Sequence, residues 1–252
     1  MKKTFKLLAL VLAVVMALCC LAACGGADNS AKKLTMATNA EFPPFEYIEN
    51  GEIVGADVDI AKAIAEKLGR ELEITNIDFD AALTGAATGK YDVAVAGITA
   101  NDERKQNMNF SNDYYTASQA IIVTADSAIA SAADLEGKTI SCQEGTTGEQ
   151  YLLDNNYAIQ SYKTGAEAVT ALTSGKADAV VIDNAVALAL SAKQNGATKV
   201  LDEALTQEAY AIALKKGNDE LTAEINKVLD ELKADGTLAS IFEKYELPYD
   251  AE

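Results

Sequence analysis

The chain has no histidine and no tryptophan, and only three prolines and four cysteines in 252 residues. The missing histidine excludes a Ser-His-Asp triad and histidine-bearing zinc sites, and no Cys-x-x-Cys pair offers a substitute. No metal ion and no other cofactor is expected. Basic side chains are scarce as well: 21 Lys and Arg stand against 38 Asp and Glu, a formal charge of −17. That balance disfavours nucleic acid and anionic membrane surfaces as partners and favours solubility.

What is present begins with a targeting segment. Lys2, Lys3 and Lys6 form a basic start, Leu7 to Leu18 is apolar, and small residues follow. Leu21-Ala22-Ala23-Cys24 resembles the bacterial lipobox, which implies cleavage before Cys24 and a diacylglyceryl group on its sulfur. The competing reading is a transmembrane helix. Leu7 to Ala23 is 17 residues, at the lower limit for a span, and Gly25-Gly26 brings no basic flank. Residues 1–23 are therefore expected to be a lipoprotein signal peptide and 24–32 a short tether on the outer face of the cell membrane. Loss of the three lysines takes the charge from −17 to −20. Cys19 and Cys20 leave with the leader and Cys24 carries lipid, so Cys142 has no disulfide partner.

The remainder, about 220 residues, is enough for two small lobes or one larger domain. Strand and helix signals alternate, which predicts the α/β class. Leu34 to Thr38 reads as a strand that Pro43-Pro44 cannot continue, and Asn50-Gly51 marks a hairpin turn. Asp57 is expected to cap a helix carrying Ile60, Ile64 and Leu68 and ending at Gly69. Glu71 to Ile77, Gln119 to Thr124, Thr139 to Gln143 and Ala209 to Leu214 read as strands, and Asp80 to Thr88 as a helix. Asp219 to Ala234 is amphipathic and Thr237 to Tyr245 a final helix.

The most informative stretch is Ala94 to Tyr115. Val93 to Ala96 reads as a buried strand broken by Gly97; Thr99 and Asn101 are N-cap types, and Arg104 falls in the first helical turn. Free N–H groups, a hydroxyl and a guanidinium together suit a carboxylate. Taken alone, Arg104 is equally a solvated surface residue. An internal echo adds weight. Gly89, Lys90 and Asp92 recur as Gly175, Lys176 and Asp178, each between a helix and a buried strand, 86 residues apart. Two similar α/β lobes are implied, with ligand expected at the carboxyl ends of their strands. The second copy ends at Asp183, which suits an ammonium group or caps the following helix. At Glu144-Gly145-Thr146-Thr147-Gly148, Thr146 or Thr147 is a cap, and the loop lacks the glycines and Lys of a P-loop.

EFPPFEY, GADVDIAKAIAEKLG, DVAVAGITANDERK, FSNDYY, GTTGE and GTLASIFEKYEL, in this order, resemble the polar amino-acid solute-binding proteins of ABC importers (extracellular solute-binding protein family 3). The resemblance covers nearly all of the chain after the leader. It implies the periplasmic binding protein type II fold: lobe 1 at 33–114 and 211–252, lobe 2 at 118–207, and hinge crossings at 114–118 and 207–211. It further implies that Arg104, Thr99 and the Thr147 N–H meet a ligand carboxylate, and that Asp183, the Gly97 carbonyl and Thr99 meet its ammonium. Phe42 and Phe79 would cover its stem, and Asn39 and Gln143 would face its side chain. For the two phenylalanines an ordinary core role competes. Ala56 and Thr84-Gly85 depart from the family pattern as packing changes.

The leading expectation is a lipid-anchored, monomeric, non-enzymatic binding protein that captures a free amino acid for an ABC permease. Its membrane contact would run through the lipid alone. A neutral polar ligand, glutamine first, ranks ahead of cationic ones, with acidic ones last; Glu41 would face a cationic ligand only if it points inward. A dehydratase on the same fold is the enzymatic alternative, though a single carboxylate, Glu41, is a thin basis for acid–base chemistry. A sensing module is the third, and would need a separate partner.

Overall fold

The computed structural model describes residues 32–249, so the signal-peptide and Cys24 expectations lie outside it. The chain divides into Met1–Lys32 and Lys33–Glu252, and the second unit is described below. In order, it holds β1 (Lys33–Thr38), β2 (Glu41–Phe42), β3 (Glu46–Glu49), β4 (Glu52–Val54), α1 (Ala56–Lys67), β5 (Glu71–Asn76), α2 (Phe79–Thr88) and β6 (Val93–Ala94). Next come α3 (Asp102–Asn107), β7 (Met108–Phe110), β8 (Tyr115–Ala117), β9 (Gln119–Thr124), β10 (Thr139–Gln143), α4 (Thr147–Asp154), β11 (Ala158–Tyr162) and α5 (Gly165–Thr173). The last are β12 (Ala179–Asp183), α6 (Asn184–Ala192), β13 (Thr198–Val200), β14 (Glu208–Tyr210), β15 (Ala213–Lys215), α7 (Asp219–Ala234) and α8 (Thr237–Lys244).

Two five-stranded sheets form, ordered β5-β1-β6-β15-β7 and β11-β10-β12-β9-β13. In each, the first three strands run parallel and the next antiparallel, so the repeat is one of architecture. The echoed residues perform the same task in both. Gly89 and Gly175 turn the chain at φ +78° and +74° after their helices. Asp92 then accepts from the Thr35 N–H of β1, and Asp178 from the Thr139 N–H of β10, each at 2.8 Å. Each carboxylate thereby anchors the start of the neighbouring parallel strand.

Each sheet is covered on both faces. Leu34, Met36, Ile60, Ile64, Ile225 and Phe242 bury one face of the first sheet, and Phe79, Ala82 and Ala86 of α2 the other. On the second sheet, Leu172 and Leu190 cover one face and Leu152 the other. Cys142 lies buried there as a free thiol. A two-stranded ribbon of β8 and β14 pairs Tyr115 with Tyr210 and Ala117 with Glu208.

Several local expectations need correction. The cap of α1 is Gly55, and Asp57 is buried inside the first turn because its carboxylate is claimed by Gly97 N–H and Tyr114 OH. Asn101, not Thr99, caps α3, accepting from Arg104 N–H at 2.8 Å. Asp183 occupies the cap position of α6 without a side-chain cap bond. The expected strand 209–214 is two strands, β14 in the ribbon and β15 in the first sheet.

Candidate ligand-binding site

The strand ends of the two sheets face one cleft. All nine expected side chains or backbones, Asn39, Phe42, Phe79, Gly97, Thr99, Arg104, Gln143, Thr147 and Asp183, line it, joined by Glu46, Ala96 and Thr146. From the first sheet, Asn39 follows β1 and is fixed by its Nδ2 donating to Ile77 O at 3.1 Å. Gly97 follows the β6 segment at φ +53°, and a Cβ there would stand 2.8 Å from the Phe42 ring. Only glycine both turns the chain and lets Phe42 lie against it. Gly97 N–H donates to Asp57 at 2.8 Å, holding the turn.

Arg104 is half-buried over the Phe79 ring, its guanidinium carbon 5.5 Å from the centroid. Its two terminal nitrogens donate to Thr99 O and, across the cleft, to Gly145 O, both at 3.0 Å. Burial lowers its pKa from the usual value, and nearby Asp183 and Glu208 oppose that fall, so it stays a cation. From the second sheet, Gln143 ends β10 and donates to Asn39 Oδ1 at 3.1 Å. Asp183 ends β12 and accepts from Gln119 Nε2 at 2.8 Å and Tyr210 OH at 2.5 Å. Burial, reinforced by Glu208, pushes its pKa to about 7, against the pull of those two donors.

Glu41, the carboxylate singled out from sequence, is exposed and outside the cleft. A second acid, Glu46, lines it beside Asp183; it is wholly buried, and neither of its oxygens meets an N–H or hydroxyl donor among the described residues. Burial pushes its pKa well above the usual value, and neighbouring Asp57 raises it further. A bond between the two carboxyls requires a proton on one of them, since a carboxylate only accepts. Asp57 itself is raised to about 6 by burial, moderated by Gly97 N–H and Tyr114 OH. Gln143 Oε1 is likewise buried without a donor.

A family model described as bacterial extracellular solute-binding proteins, family 3, matches residues 34–248. The chain belongs to this family. It is 36% identical over 236 residues to the arginine-binding extracellular protein ArtP of Bacillus subtilis (strain 168), covering 89% of this chain and 92% of the relative. Among solved structures it resembles an ancestral arginine-binding protein bound to glutamine, at TM-score 0.81 and 44% identity over 84% of this chain and 97% of that one. The ancestral arginine-binding protein bound to arginine matches at the same TM-score and 43% identity, over 86% and 99%.

Two buried carboxylates of this family 3 protein escaped the sequence reading. Glu46 was readable: β2 and β3 pair Phe42 with Glu46, so both point to one face of that strand pair. Glu208 had no such signal, because its partners Thr99 and Thr147 are distant in sequence.

Proposed function

We propose that the protein binds a free amino acid with a cationic side chain in this cleft and delivers it to the permease of an ABC importer. The observation that carries the reading is a single cationic group, Arg104, facing two buried acids, Asp183 and Glu46, in a cleft where Gln143 Oε1 is a further buried acceptor without a partner among the described residues. The α-carboxylate pairs with Arg104 and the N–H groups of Thr99 and Thr147. Thr147 begins α4, where an N–H has no intrahelical acceptor. The ammonium goes to Asp183 and the Gly97 carbonyl, and Phe42 and Phe79 enclose the stem.

At the far end, both polar atoms of Asn39 and the Gln143 Nε2 are already bonded. Among the described residues Gln143 Oε1 has no donor, and Glu46, whose pKa burial holds well above the usual value, gives up its proton to a cation brought beside it. A guanidinium or ammonium satisfies Gln143 Oε1 and gains an ion pair with the ionised Glu46, whereas a glutamine amide gains no ion pair. Cationic side chains therefore rank first and glutamine second, the reverse of the order expected from sequence. The names of the relatives, an arginine-binding protein and an ancestral one bound to arginine and to glutamine, support both ligands. Capture is read as closure of a lobe at 33–114 and 211–252 on one at 118–207, about the ribbon, by a monomer held to the membrane at Cys24.

A thermal-shift screen of the standard amino acids, followed by calorimetry, tests the ligand class. Arginine or lysine should stabilise the protein most. Aspartate or glutamate giving the largest shift at matched pH would overturn the assignment.

A further inference from the structure

Glu208 lies in β14 of the ribbon and makes none of the ligand contacts proposed above. It is 9% exposed. Its carboxylate accepts three hydroxyl groups. Thr99 Oγ1, from the first lobe, donates to Oε2 at 2.5 Å. Thr147 Oγ1, at the start of α4 in the second lobe, donates to the same oxygen at 2.7 Å. Thr206 Oγ1, two residues away on the chain, donates to Oε1 at 2.7 Å. One oxygen is thus held by a residue from each lobe, and the other by the ribbon's own approach. A buried carboxylate depends heavily on its donors, because each one lost leaves charge without solvation. Parting the lobes removes at least one of the two hydroxyls from Oε2. Arg104 crosses the same seam to Gly145 O, so the clasp and the anion-binding side chain close together.

We infer that Glu208 is a positioning residue, an interlobe clasp that fixes the rotamers of Thr99 and Thr147 in the closed form and sets how long a bound amino acid stays. This rests on the reading that the lobes part about the ribbon to admit ligand. The clasp forms after entry, so it acts on departure and leaves arrival alone. The Thr206 bond does not cross the seam, which supplies an internal control.

Stopped-flow binding of arginine to Glu208→Gln, Thr147→Val and Thr206→Val tests it, with thermal unfolding of each free protein. A hydrogen bond to a buried charge corresponds to roughly 10- to 100-fold in an equilibrium constant. Glu208→Gln and Thr147→Val should raise the dissociation rate by about that factor, with the association rate within about threefold of wild type. Thr206→Val should lower the melting temperature, since it also strips the Gln119 N–H of its acceptor, while dissociation stays within about threefold. If Glu208→Gln does not fold, Thr147→Val decides, because it keeps the carboxylate and its own N–H, and the Gln119 Nε2 that also donates to Thr147 Oγ1 at 3.2 Å keeps its shorter bond to Asp183. Dissociation from Thr147→Val at the wild-type rate, or Thr206→Val speeding dissociation equally, overturns the clasp alone. Wild-type protein that binds none of the standard amino acids overturns the capture reading, and the clasp with it.

Discussion

Replacing Glu46 by glutamine keeps the side chain's size and removes its capacity to ionise. Glu46 is wholly buried with no donor among the described residues, so a cationic ligand group beside it favours loss of its proton and then meets the carboxylate without intervening water. Truncating one partner of a buried charged pair costs about 2–5 kcal/mol. At about 1.4 kcal/mol per tenfold, that is roughly a 30-fold to several-thousandfold loss of arginine affinity. Glutamine loses no ion pair, and its amide oxygen gains the new Nε2 as donor, so its affinity should hold or rise. The preference between the two ligands should invert. The free variant should also gain stability towards neutral pH. Glu46 and Asp57 both have raised native pKa values, so the folded state holds protons that the unfolded chain releases above pH 4.5 and 3.8. Their stabilising contribution is full at low pH and falls as pH rises towards the native values, which for Asp57 is about 6. Glu46→Gln removes part of that loss, so its melting temperature should increasingly exceed wild type's as pH rises from about 4 to 7. Calorimetry with arginine and with glutamine, beside melting curves across that range, reads both effects. Arginine affinity within about threefold of wild type would remove Glu46 from the ligand contacts, whatever the melting curves do.

Arg104→Ala and Asp183→Ala should each weaken binding by roughly 30-fold or more with the fold retained, and calorimetry showing near-wild-type affinity would take that residue out of the site. Asp183, at about 7 in the free protein and facing Glu208, Tyr210 and Gln119, must be ionised to hold an ammonium. Glutamine, which needs no ionised Glu46, should therefore gain affinity from pH 5 to about 7 and then level off, with protons released on binding in the lower range; flat glutamine affinity across this window contradicts the assignment. Ligand should reduce the radius of gyration seen by solution scattering, and an unchanged radius at confirmed saturation would argue against closure. Cys24→Ser should abolish lipid labelling, and persistent labelling with palmitate would exclude Cys24 as the anchor.

The α/β class was legible because apolar strands, capping residues and left-handed glycines punctuate the chain at regular intervals. The repeated Gly-Lys-x-Asp was the deepest clue, since its aspartates fasten equivalent strands in both sheets. The cleft residues named from the resemblance come together in one place. What the pattern did not disclose were side chains whose roles depend on tertiary neighbours. Asp57 looks like a helix cap, yet Gly97 and Tyr114, distant in sequence, claim its carboxylate. Glu41 stood out as the candidate carboxylate near the cleft, whereas strand pairing turns Glu46 inward. The amides of Asn39 and Gln143 looked available to a ligand, but Gln143 Nε2 donates to Asn39 Oδ1. That contact reversed the ligand ranking.

The strand order has a consequence for how the molecule is made. In the first sheet, β6 and β7 do not touch: β15 lies between them and pairs with both. β15 begins at Ala213, after every strand of the second sheet, whose members run without interruption from Gln119 to Val200. A chain emerging from its N-terminus can therefore complete the second sheet while the first still has an open seam along β6. Until residue 213 arrives, that seam exposes unpaired backbone and the apolar positions of Val93 and Ala94. The first-made half is the last to finish, and its unfinished edge is where a stalled or truncated chain would be most open to aggregation and proteolysis.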